Sequence, residues 1–95
     1  LLDCATLWLS NILLADQDIT TASDVLLAAL STCPAIVIVV SNEVGNGIVP
    51  DNKLARQFRN AQGRLNQLLA AQADLVVQVT AGLPHTLKSE AIVLK

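Results

Sequence analysis

The stretch Ala35–Val40, AIVIVV, constrains the fold more than any other part of the chain. It is apolar without alternation and rich in β-branched residues, the pattern of a parallel strand covered on both faces. It runs directly into Ser41–Pro50, SNEVGNGIVP. A solvated turn requires neither the carboxylate of Glu43 nor the backbone freedom of both Gly45 and Gly47. A loop at the end of a buried strand that faces a ligand can use both, because glycine permits positive φ and close approach of the backbone.

The remaining segments supply partners for such a strand. Leu1–Asp3 reads as the end of another buried strand. ATLWLSNILLA follows, apolar on more than one face, as in a helix packed on two sides. DQDITT is a polar break. Thr21 with Asp24 three residues on gives a capping signal for a helix over ASDVLLAALST, which Pro34 ends. Pro50–Asn52 offers an N-cap for the clearest helix, NKLARQFRNAQGRLNQLLAAQA. In that helix Leu54, Phe58, Ala61, Leu65, Leu68 and Leu69 form an apolar stripe. Arg56, Arg59, Asn60, Gly63, Asn66 and Gln67 fall opposite. Gly63 in mid-helix costs about 1 kcal/mol against Ala and suggests close packing there. DLVVQVTA is a third strand, GLPHTLK a loop that leaves it, and EAIVLK a short edge strand. The order β-α-α-β-α-β with long crossovers predicts an α/β fold, a mostly parallel sheet flanked by helices.

Composition bounds what such a fold can do. Ninety-five residues make one small domain whose core of Leu, Val, Ile and Ala is marginal alone. A net charge of -2 gives no electrostatic case for nucleic acid or an acidic membrane. No segment has the ~18 uninterrupted apolar residues of a membrane span. Cys4 and Cys33 lack metal-ligand spacing and are expected to be buried free thiols in a reducing cytoplasm. The chain contains no Met and opens on an apolar run, so it is expected to be the C-terminal part of a longer polypeptide.

Ligands of open parallel sheets bind beyond the carboxyl ends of the strands. Asp3 ends the first strand, Ser41, Asn42 and Glu43 the second, and Thr80, Ala81 and Gly82 the third. Two carboxylates and an amide are thereby expected on one edge. An acid after an apolar strand is the arrangement that holds Mg²⁺ beside nucleotide phosphates; the alternative for Asp3 is to cap the helix starting at Ala5. Glu43 orients a water or a substrate hydroxyl, or binds a metal's water shell; its alternative is an exposed loop carboxylate. Arg56 and Arg59 either grip phosphate or lie on a solvated helix face, and Asn66 shares that choice. Lys88 can reach phosphate, although nothing local demands it. Trp8 reads as core or interface. His85 reads as a solvated loop residue, since no Ser or Cys is spaced with it for a triad. The chain has no GxxxxGK[ST] phosphate loop.

Taken together, LLDCATLWLSNIL, VVSNEVGNGIVPDNKLARQFRNAQGRLNQLLAAQAD and VTAGLPHTLK resemble the C-terminal half of the bifunctional adenosylcobinamide kinase/adenosylcobinamide-phosphate guanylyltransferase family. The resemblance covers all but the last residues. It implies a P-loop NTPase-like fold, a cytoplasmic homotrimer, and a role in cobalamin biosynthesis. It further implies phosphorylation of adenosylcobinamide by ATP or GTP, then transfer of GMP from GTP through a guanylylated histidine, with Mg²⁺ as cofactor. By position, Asp3, Asn42, Gly45 and Gly47 correspond to nucleotide- or Mg²⁺-binding positions and Glu43 to a catalytic one. Arg59 and Asn66 match the helix signature, as phosphate-binding or structural residues. Residues 1–95 are then the C-terminal part of one nucleotide-binding domain. The phosphate loop and the nucleophilic histidine belong to the other half, and His85 does not match that nucleophile. The piece alone is expected to be inactive, and to self-associate through faces the other half covers. Two rivals remain: another P-loop-type kinase, and a non-catalytic α/β module that assembles through its long helix.

Overall fold

The computed structural model describes residues 1–43 and 53–90. Strand β1, Leu2–Asp3, is followed by helices α1, Ala5–Leu14, and α2, Ile19–Thr32. Strand β2, Val39–Val40, precedes helix α3, Lys53–Gln72, and strands β3, Leu75–Thr80, and β4, Leu83–Ser89. The expected strand in EAIVLK and the cap offered by Pro50–Asn52 lie outside the described residues, apart from Glu90, which is in no element.

β1 and β2 pair in parallel, Leu2 opposite Val39 and Asp3 opposite Val40. The Leu2 N–H donates to the Ile38 carbonyl at 2.8 Å. This is the parallel arrangement predicted from the apolar run, but coverage differs from the expectation. Ile36, Ile38 and Val40 are exposed, whereas Val39 packs against the core. Side chains alternate across a strand, and the described elements pack on only one side of this pair. Contiguous apolar surface is thus left open on the other.

The third strand does not join that sheet. β3 pairs antiparallel with β4 in a separate two-stranded sheet, Thr80 opposite Leu83 and Gln78 opposite His85. GLPHTLK is therefore a strand and not a loop. The turn has Ala81 at φ 51° and Gly82 at φ 76°. Two consecutive left-handed residues match the right-handed twist of a tight hairpin, and glycine takes one of them without steric cost. A bulge between Val76 and Val77 interrupts the ladder. Lys88, next to this bulge, donates from Nζ to the Ala70 and Ala71 carbonyls, both at 3.0 Å. These carbonyls belong to the last turn of α3, which has no intrahelical donors for them. Lys88 therefore ties the hairpin to the helix end; it does not reach towards phosphate.

The core is small. Ala5 and Leu9 of α1 and Leu65 of α3 are buried, with Leu2, Trp8, Ile19, Leu26, Val39, Phe58, Ala61 and Leu69 packed around them. Much of the apolar stripe predicted on α3 is thus found at the helix interface, although Leu54 is exposed. Gly63 has nothing within 4 Å of where a Cβ would stand, so no close approach accounts for it. Cys33 is exposed and Cys4 half-buried, against the expectation of two buried thiols. Both lie at helix ends: Cys33 caps the end of α2, and Cys4 begins α1 with its Sγ accepting from the Leu7 N–H at 3.4 Å. Cys4, and not Asp3, is therefore the cap of α1.

α2 begins earlier than its predicted cap. Asp18 is the N-cap, its Oδ1 accepting from the Thr20 and Thr21 N–H groups at 3.0 and 3.3 Å. The Thr21 hydroxyl donates to Asp18 Oδ2 at 2.9 Å. That hydroxyl, then the Thr21 backbone N–H, hold the Asp18 carboxyl below the usual carboxylate range. Because the folded value is depressed, the carboxylate stabilises the fold at neutral pH. That contribution is lost as pH falls through its titration range. Asp18→Ala is expected to lower the melting temperature at pH 7, with the gap to wild type closing in acid; a gap independent of pH would show that the charge plays no part.

Candidate functional site

The parallel register brings the ends of β1 and β2 to one edge. Asp3 is exposed there, opposite Val40, and Ser41, Asn42 and Glu43 leave β2 beside it. Two of the three expected strand ends therefore meet. Thr80, Ala81 and Gly82 do not contribute, because their strand turns back into the hairpin.

The path of the chain leaving β2 is held by side chains from two helices. The Asn42 N–H donates to Thr6 Oγ1 at 2.9 Å, from the first turn of α1. The Asn42 carbonyl accepts from Asn66 Nδ2 at 3.0 Å, from the middle of α3. Both backbone polar groups of Asn42 are thus satisfied by side chains, which replace the ladder partners that the end of a strand lacks. Ser41 Oγ donates to Asn66 Oδ1 at 2.5 Å. Gln62 Nε2 donates to Ser41 Oγ at 2.8 Å and to Asn66 Oδ1 at 2.9 Å. Asn66 is accordingly not a solvated residue on the far side of α3. It faces the end of β2 and bridges helix to sheet.

Gln62 is fully buried where α3 meets the end of β2. It is four residues from Phe58 and three from Leu65, which places it inside the buried arc of α3. Sequence reading passed over Gln62 and Thr6. A polar residue at an apolar-stripe position was the available signal for Gln62. Thr6 carries no comparable signal, because its role depends on where β2 ends in space.

The remaining candidates are distributed as follows. Arg59 is half-buried, three residues before Gln62, and its Nη2 lies 3.5 Å from Asn60 Oδ1. Arg56 is half-buried one turn earlier. Gly45 and Gly47 lie outside the described residues. His85 stands in β4, paired opposite Gln78, away from the loop context expected of it. Among the described residues no three His, Cys, Asp or Glu side chains gather as a metal site. The acidic donors at the edge are instead the carboxylates of Asp3 and Glu43. They suit a hard cation that keeps most of its water and shares ligand oxygens, as Mg²⁺ does beside phosphates. No described helix is long and apolar enough to cross a membrane.

Comparison with known proteins adds a family to this geometry. A family model described as cobinamide kinase/cobinamide phosphate guanyltransferase matches residues 1–87. The chain is 42% identical to the bifunctional adenosylcobalamin biosynthesis protein CobU of Salmonella typhimurium, over 93% of this chain and 57% of that protein. It is 42% identical to the bifunctional adenosylcobalamin biosynthesis protein CobP of Pseudomonas aeruginosa, over 97% of this chain and 54% of that protein. Identity to CobU of Escherichia coli is 40%, over 93% and 57% respectively. The chain thus spans somewhat more than half the length of these relatives.

Proposed function

The chain belongs to the cobinamide kinase/cobinamide phosphate guanyltransferase family, and from that premise we propose that it is the C-terminal part of a bifunctional enzyme of cobalamin biosynthesis. The complete enzyme phosphorylates adenosylcobinamide with ATP or GTP, then transfers GMP from GTP to give adenosylcobinamide-GDP. The observation that carries this reading is the 42% identity to bifunctional relatives over nearly all of the chain. The convergence of Asp3 with Asn42 and Glu43 at one sheet edge supports it.

In this reading the domain is P-loop NTPase-like, and residues 1–95 supply its strand-end acids and signature loop. The phosphate loop and the guanylylated histidine come from the remainder of the family sequence. His85, in the hairpin, is not that histidine. Asp3 would hold the water shell of Mg²⁺, which when bound offsets negative charge on the nucleotide phosphates. Glu43 orients the substrate hydroxyl and accepts its proton, while Asn42, Gly45 and Gly47 line the pocket. Arg59 either stabilises phosphate charge from α3 or serves a structural part there. A cytoplasmic homotrimer is the assembly the family resemblance implies.

The test is direct. Protein of full family length is incubated with adenosylcobinamide, Mg²⁺ and GTP, and the corrinoid is followed by mass spectrometry. The expected result is appearance of the phosphate ester and then the GDP derivative. An unchanged corrinoid mass, with protein that binds GTP, would sink the reading in favour of another kinase of the same fold. No binding of either substrate would favour an assembly module.

A further inference from the structure

We propose that Gln62 is a positioning residue that sets the path of the backbone from Ser41 to Glu43, and through it the placement of the Glu43 carboxylate. The proposal rests on the functional reading above for what Glu43 does, but not for how the backbone is held.

Gln62 lies fully buried between α3 and the sheet, and its side-chain amide spends both protons on one structure. One goes to Ser41 Oγ at 2.8 Å and the other to Asn66 Oδ1 at 2.9 Å. Ser41 and Asn66 are themselves hydrogen-bonded, so the three side chains close a ring. Within that ring Asn66 Oδ1 is held as an acceptor, and its amide is turned so that Nδ2 meets the Asn42 carbonyl at 3.0 Å. An asparagine free to flip by half a turn would present its oxygen to that carbonyl and repel it. The Gln62 amide therefore decides which end of Asn66 faces the strand exit. One residue further along the chain is Glu43.

A second observation sets Gln62 apart from an ordinary core residue. Its Oε1 is buried without a partner among the described residues. An unpaired buried acceptor destabilises a fold, and an apolar side chain of similar shape would avoid the cost. Gln62 is a poor choice for filling this space and a good one for donating two directed hydrogen bonds. Local rules of this kind are broken where a site must be held in one geometry.

The experiment uses protein of full family length carrying Gln62→Met, which keeps the length of the side chain and removes both donors and the unpaired acceptor. Three quantities are compared with wild type: the melting temperature, the exchange rate of the 41–43 backbone amides, and kcat and KM for phosphorylation of adenosylcobinamide. The expected result is a melting temperature within a few degrees of wild type, because loss of the ring is offset by loss of the orphan acceptor. Exchange at 41–43 rises about tenfold, and kcat falls about tenfold with KM nearly unchanged. Wild-type exchange and wild-type kcat in a folded variant would overturn the proposal, leaving Gln62 as a spacer. Should Gln62→Met not fold, Asn66→Asp keeps the acceptor that Gln62 and Ser41 meet and replaces the Nδ2 donor to the Asn42 carbonyl by an oxygen, which breaks the link through which Gln62 acts. Unchanged exchange and kcat there would overturn the proposal equally. If wild-type protein turns over no corrinoid, the functional reading fails, whereas the amide-exchange comparison still decides whether Gln62 holds the strand exit.

Discussion

Replacing Glu43 by Gln in protein of full family length is expected to reduce turnover by at least about a hundredfold, the lower end of what a positioned general base contributes. Gln preserves the size of the side chain and its ability to accept a hydrogen bond. It removes the negative charge and the capacity to take a proton. Assembly, melting temperature and nucleotide affinity should stay close to wild type, since Glu43 lies exposed beyond the last residue of β2 and outside the core. The effect belongs in kcat and not in KM if the carboxylate acts on the reacting hydroxyl. Full activity of the variant would remove Glu43 from the chemistry and leave Asp3 as the acid this edge contributes among the described residues. Loss of activity together with loss of assembly would instead mark the loop as structural.

Leu65→Ala is expected to have the largest effect on stability. Leu65 is 1% exposed and faces Ala5 and Leu9, the two other buried apolar residues of the core among the described residues. Truncating a buried Leu costs roughly 2–5 kcal/mol, the higher figure where the surroundings cannot collapse into the space. A domain stable by about 5–15 kcal/mol loses a large share of its margin that way. In protein of full family length the melting temperature should fall by roughly 5–20 °C. Leu7→Ala on the same core helix as Leu9 is the control: Leu7 is 61% exposed, and a change within about ±0.5 kcal/mol is expected. Equal effects of the two substitutions, measured by thermal denaturation, would show that Leu65 is not at the centre of the core.

Local signals were read with most success where the structure is held locally. The 3.6-residue periodicity of α3 identified Phe58, Ala61, Leu65 and Leu69 as its packing stripe, and all four pack in the core. Pro34 marked the end of α2, whose last helical residue is Thr32. α2 starts earlier than the cap that the sequence suggests at Thr21. Asp18, three residues earlier, has the shorter and charged acceptor that reaches the free N–H groups of the first turn. The hairpin was missed for a different reason. Pro84 and His85 read as loop residues, yet Pro is tolerated in an edge strand where its missing N–H would not have paired. The turn uses Ala81 in the left-handed region, a conformation that Ala does not announce.

The candidate site divides along the same line. Asp3, Asn42 and Glu43 were recognisable because each follows an apolar run, and a parallel register necessarily brings such ends together. The long motif from Ser41 to Asn66 also sufficed for the family, since its residue types and spacings are specific by themselves. Which polar side chains of α3 meet the end of β2 was a matter for tertiary structure alone. Helical spacing puts Arg59, Gln62 and Asn66 near one another, but the rotation of α3 against α1 and α2 is settled by how Leu65 packs against Ala5 and Leu9. That packing turns Gln62 and Asn66 inward to Ser41 and Asn42. A sequence records which side chains can share a helix face. The orientation of that face depends on burying apolar area contributed by residues some sixty positions apart, and no local pattern carries that information.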